Sequence, residues 1–115
     1  MSAILQNFSM YQGDDVRLGV TLVDAAGVPV SLVGATLKWG IAKKASDGTP
    51  LLLKTIGSGI TVLDPAAGSF EVALVPADTQ SYVGDYYHEV ELTDAGGKRL
   101  TVMTGKVQIA PTLIV

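Results

Sequence analysis

The chain predicts an all-β domain, an antiparallel sandwich of about 7–9 strands. Three observations carry that expectation. Short apolar runs alternate with polar residues at a period of two, as half-buried strands do. Clusters of Gly, Pro, Asp and Ser interrupt these runs at intervals of about ten residues, as in all-β sandwiches. No stretch longer than a single turn keeps a helical period.

Taken in order, Ile4 to Tyr11 reads as a first edge strand, and Gln12-Gly13-Asp14-Asp15 as a turn. Val16 to Val23 alternates cleanly and points Val16, Leu18, Val20 and Leu22 inward. Asp24-Ala25-Ala26-Gly27 turns the chain into a short extended piece, Val28 to Leu32, which Pro29 keeps out of a central ladder position. Ala35 to Lys43 places Leu37, Trp39 and Ile41 on one face. Lys44 to Pro50 is an exposed loop, and Leu51 to Ile56 a strand closed by Gly57-Ser58-Gly59.

Ile60 to Thr93 holds three strands. Ile60 to Leu63 and Ser69 to Leu74 flank Asp64-Pro65-Ala66-Ala67-Gly68, a hairpin-like connection. The link Pro76 to Gly84 is longer, with Asp78 and Thr79 placed to bond local backbone groups. In Asp85 to Thr93, Tyr86, His88, Val90 and Leu92 share one face, and Tyr87, Glu89, Glu91 and Thr93 the other. Asp94-Ala95-Gly96-Gly97 turns into a last strand, Lys98 to Ile109, whose apolar residues change phase. A bulge near Thr104-Gly105 would reconcile Leu100 and Val102 with Val107 and Ile109. The chain then runs out through exposed apolar residues, Leu113, Ile114 and Val115.

The 115 residues suit one domain, residues 1–115, with its core at about 11–109 and short apolar tails. Apolar residues are 48% and charged residues 17%, a balance that favours a packed core over disorder. Net charge is −3, and the Lys and Arg residues are scattered without a basic stripe, so nucleic acid is not an expected partner. The absence of cysteine removes disulfides, thiolate metal sites and Cys nucleophiles. The N-terminus lacks the pattern of a signal peptide, and no apolar run is long enough to span a membrane, so no membrane partner is expected.

Few residues are candidates for chemistry. His88, the single His, is a general base or ligand on one reading and a core-facing residue bonded to a neighbouring hydroxyl on the other. The second is favoured, because no Ser, Cys or carboxylate stands in motif spacing with it. Trp39 lies on an apolar face and reads as core, which leaves Tyr87, on a polar face, and Tyr82, in a link, as candidate surface aromatics for a sugar. Asp14, Asp15, Asp24, Asp47, Asp64 and Asp94 all fall in turns, without the alternating pattern of a calcium loop. Glu89 and Glu91 read as a solvated strand face, and Gly57-Ser58-Gly59 opens no helix and so is no phosphate loop. No catalytic, metal or cofactor-binding residue is assigned, and no cofactor is expected.

Two resemblances sharpen these expectations. Gly84-Asp85-Tyr86, following the link, is similar to the corner of immunoglobulin-like sandwiches, where a Tyr hydroxyl bonds backbone upstream. Met10-Tyr11-Gln12-Gly13-Asp14-Asp15, the run Asp24 to Leu37, the hairpin Gly84 to Gly97, and Thr104-Gly105-Lys106-Val107 together resemble small structural proteins of tailed phages. Within that group they resemble the N-terminal immunoglobulin-like domain of baseplate upper proteins. The resemblance spans roughly Tyr11 to Ile109, rests on turn and core residues, and transfers no catalytic residue. It implies an immunoglobulin-like antiparallel β-sandwich and a non-enzymatic virion structural or assembly protein of the tail, baseplate or neck. It implies other virion proteins as partners, repeated copies or a homo-oligomer on a symmetric particle, synthesis in the host cytoplasm, and location in the virion. Docking is then expected through sheet edges and through Leu113, Ile114 and Val115. The alternative expectation is a carbohydrate-binding module for host-surface attachment.

Overall fold

The structure, a computed structural model, describes residues 3–114. Its strands are β1 (Ile4–Leu5), β2 (Phe8–Tyr11), β3 (Val16–Thr21), β4 (Thr36–Ala42), β5 (Leu52–Ile56), β6 (Gly59–Asp64), β7 (Ser69–Leu74), β8 (Gly84–Thr93) and β9 (Arg99–Ala110). All nine belong to one sheet, in the order β1-β9-β8-β4-β5-β6-β7-β3, with β2 following β1 along β9. The sheet is mixed and curls into a half-barrel. One helical turn, α1 (Pro76–Thr79), and a 3-10 turn at Ala45–Asp47 complete the described structure. Among the described residues no helix is long and apolar enough to cross a membrane.

The all-β class is as expected. The antiparallel expectation holds for β3–β7, β4–β5, β4–β8, β6–β7 and β8–β9, and is corrected elsewhere. β1 and β2 run parallel to β9, and β5 runs parallel to β6. No short turn joins β2 to β9, so hairpin geometry does not dictate their direction. Between β5 and β6, Gly57 (φ 84°) and Gly59 (φ 104°) take left-handed conformations that bend the chain sharply. The kink leaves only Thr55↔Gly59 and Ile56↔Ile60 as partners.

Two further details depart from the sequence. Ile4 to Tyr11 is not one strand but two, broken at Gln6 and Asn7. The phase change in β9 is absorbed at Val102, not at Thr104-Gly105: Val90 faces Met103, while Glu91 faces Thr101. Val102 is the extra residue, and it and Met103 are both buried, as a bulge permits. Val28 to Leu32 stays outside the named strands, with one bridge, Val23↔Pro29, and a Val30 N–H donated to the Leu22 carbonyl at 3.0 Å.

The alternation does set the core. Leu18 and Val20 on β3, Leu37, Trp39 and Ile41 on β4, Phe70, Val72 and Leu74 on β7, and Val90 and Leu92 on β8 all join one buried cluster. Each such side chain contributes on the order of 1.5–3 kcal/mol by leaving water. Phe8, Ile4 and Leu52 pack against the cluster from its margins.

Candidate functional site

β8 is the strand on which the chemistry-bearing residues gather, and its two faces differ. Inward, His88 is fully buried. The Trp39 indole Nε1–H donates to His88 Nδ1 at 3.0 Å, and His88 Nε2 lies 2.6 Å from the Gln6 carbonyl. An acceptor at Nδ1 requires the proton on Nε2, which therefore donates to Gln6. The imidazole is thus neutral with both nitrogens engaged. Burial pushes its pKa below the usual value, opposed in part by the bond to Gln6. Phe8 meets the ring edge-on at 5.3 Å between centroids, and Trp39 at 6.0 Å. His88 is a clasp between β4, β8 and the break between β1 and β2, in line with the core reading. Its partners are an indole and a carbonyl, where a neighbouring hydroxyl was expected.

The clasp depends on Gly105. A Cβ there would collide with the Gln6 carbonyl and come within 2.8 Å of His88 Nε2. Glycine is required for the close approach of two backbones. Gln6 adds a second tie, its Nε2–H donating to the Gly19 carbonyl of β3 at 2.9 Å. The two ends of the curled sheet meet through that side chain.

Outward, Tyr87, Glu89 and Glu91 line a groove of about 370 Å³. Opposite them on β4 stand Ala42, Gly40 and Lys38 in register. Gly40 has no side chain, and the loop after β4 folds down over it: a Cβ on Gly40 would lie 3.3 Å from Pro50 Cβ. The loop is braced by the Lys44 N–H donating to Asp47 Oδ2 at 3.1 Å and by Gly48 in the left-handed region (φ 77°). The Tyr87 hydroxyl donates to Glu89 Oε1 at 3.0 Å. Partial burial and that carboxylate push the phenol pKa up to about 12. Arg99 Nε stands 3.8 Å from Glu91 Oε2 at one end of the groove.

The other candidates fall apart from this face. Tyr82 is half-buried and packs against the core. Its hydroxyl donates to the Leu51 carbonyl at 3.4 Å, and its ring sits 5.8 Å from that of Tyr86. The Tyr86 hydroxyl donates to the Val83 carbonyl at 3.3 Å, an upstream backbone bond of the expected kind. Leu113 and Ile114 are 97% and 84% exposed, and Val115 lies outside the described residues. Asp24, Asp47, Asp64 and Asp94 accept hydrogen bonds from backbone N–H groups of their own turns. Asp78 accepts the Val75 N–H at 2.9 Å and pairs with Lys54 at 2.8 Å, which fastens α1 to β5.

The groove was missed in the sequence, where Lys44 to Pro50 reads as an ordinary loop. One signal pointed to it. A glycine inside an alternating strand marks a close approach of another chain segment, and Gly40 is that glycine.

No protein-family model matches the chain, and no curated protein matches it.

Proposed function

We propose that the protein is a structural component of a tailed-phage particle, an immunoglobulin-like sandwich that docks onto neighbouring tail, baseplate or neck proteins by its sheet edges. The observation that carries the docking is the pair of edge strands, which share no backbone ladder with each other and are tied through the Gln6 side chain to the Gly19 carbonyl. Among the described residues β3 pairs only with β7, and β1 and β2 pair only with β9. Unpaired N–H and C=O groups along such an edge accept a further strand. The exposed side chains of Leu113 and Ile114 offer apolar area close to the end of β9.

The immunoglobulin-like part is supported by strand order. Within the one curled sheet, the runs β2-β9-β8-β4-β5 and β6-β7-β3 resemble the strand orders of the two layers of such a sandwich, with a buried Trp39 central on β4 and Tyr86 near the start of β8. The phage part is supported by the motif resemblance in the turns and strands. Immunogold electron microscopy on particles from cells making the protein tests the proposal. Gold at one fixed position on the particle is the expected result. Unlabelled particles, with the protein abundant in the same lysate, overturn it. Removing residues from Pro111 onward should lower incorporation if the apolar tail takes part in docking.

A second reading, carbohydrate binding, is favoured by one observation, the place of Tyr87 in the groove beside two carboxylates.

A further inference from the structure

We propose that the groove between the outer face of β4 and β8 and the 44–50 loop is a binding site for a neutral saccharide. The inference rests on the carbohydrate-binding reading and not on docking, so the two stand or fall separately.

Shape comes first. The volume of about 370 Å³ lies near the lower end of the range for small-molecule sites. The hollow exists because Gly40 and Ala42 put little on the outer face while Tyr87 and Glu89 rise beside them and Pro50 closes over. Its lining divides between small apolar walls, from Ala42, Ala45 and Pro50, and polar groups contributed by β4, β8, β9 and the loop. A sugar ring has that same division, with C–H faces and a rim of hydroxyls.

Charge decides which sugar. Glu89 and Glu91 face three cationic residues around the same groove, Lys38, Lys44 and Arg99. The site is close to balanced, so neither a polyanion nor a polycation is favoured. An uncharged polyhydroxyl ligand meets acceptors and donors at once. The acceptors are also held in place. Tyr87 donates to Glu89 Oε1, which orients the carboxylate before any ligand arrives. With its pKa pushed up to about 12, the phenol keeps its proton throughout the neutral range.

The test is a heteronuclear NMR titration of the full chain with methyl glycosides of mannose, galactose, glucose and N-acetylglucosamine, with sialyllactose as a charged comparator. Expected are shift changes at Tyr87, Glu89, Gly40 and Thr49 with at least one neutral glycoside at millimolar concentration. Tyr87→Ala should weaken that binding by about tenfold, the loss of one ring's stacking. Glu89→Gln, which keeps size and shape, should weaken it too while leaving the rest of the spectrum in place. No shift with any neutral glycoside overturns the proposal. So do shifts confined to other surfaces, binding indifferent to both substitutions, and a preference for sialyllactose. Particle labelling is untouched by any of these outcomes.

Discussion

Consecutive residues of β8 face two different environments. Tyr86, His88, Val90 and Leu92 are buried, whereas Tyr87, Glu89 and Glu91 are half-exposed against a groove. The inner face uses His88 structurally, with both ring nitrogens engaged by protein partners. The outer face uses Tyr87 and Glu89 in a pair that leaves acceptor capacity for a ligand. An unsatisfied buried group costs far more than an unsatisfied exposed one. The two faces should therefore respond unequally to substitution, with much of the stability at stake inside and little outside.

The largest effect is expected at Gly105. Gly105→Val drives side-chain atoms into the Gln6 carbonyl and the His88 ring, and should cost about 3 kcal/mol or more. The urea midpoint reads that loss, and exchange of the backbone N–H groups of β1 and β2 locates it. Retained protection there would mean that the clasp is not what holds the N-terminal strands. Next is Trp39→Phe, which removes the donor to His88 Nδ1 and leaves a buried acceptor unpaired beside a small void. A loss of about 2–4 kcal/mol is expected, from the orphaned group and the cavity together.

Acid separates the faces without mutation. His88 has a folded pKa below its ordinary value of 6.5, so the unfolded chain binds its proton more readily. Stability is therefore fullest above about pH 6.5 and falls as the pH drops from there towards the folded pKa. In His88→Gln the part of the urea-midpoint slope due to this group should vanish. An unchanged slope would shift the effect to the carboxylates.

The smallest effect is expected outside. Tyr87→Phe removes a hydrogen bond from a half-exposed group and should change stability by roughly 0.5 kcal/mol. Its signature is spectroscopic. With a pKa raised to about 12, Tyr87 should ionise late in an alkaline ultraviolet titration, and the variant should lose that last step. The raised value also means that the fold loses Tyr87's contribution as the pH climbs from 10 towards 12. A loss in Tyr87→Phe as large as that in Trp39→Phe would erase the contrast between the faces.

Much of this was legible in residue order. The period of two assigned Trp39, Val90 and Leu92 to the core and Tyr87, Glu89 and Glu91 to the outer face. Turn chemistry marked most loops, because Asp24 and Asp94 bond the backbone two and four residues on, entirely within their own segments. The bulge was anticipated as a need but misplaced. A phase change says that one residue must be extra and not which one, and Gly105 drew attention for a different duty.

The sequence by itself determined the all-β class, the faces of the strands and the identity of the turns, since these depend on neighbours a few residues apart. Only the tertiary structure decided the mixed pairing, the half-barrel curl, the Gln6–His88–Trp39 clasp and the groove over Gly40. Each of these joins segments remote in sequence, as Gln6 and His88 are at 82 residues apart. Strand partners and close approaches of that kind are set by the packing of the whole core, which no local pattern of residues encodes.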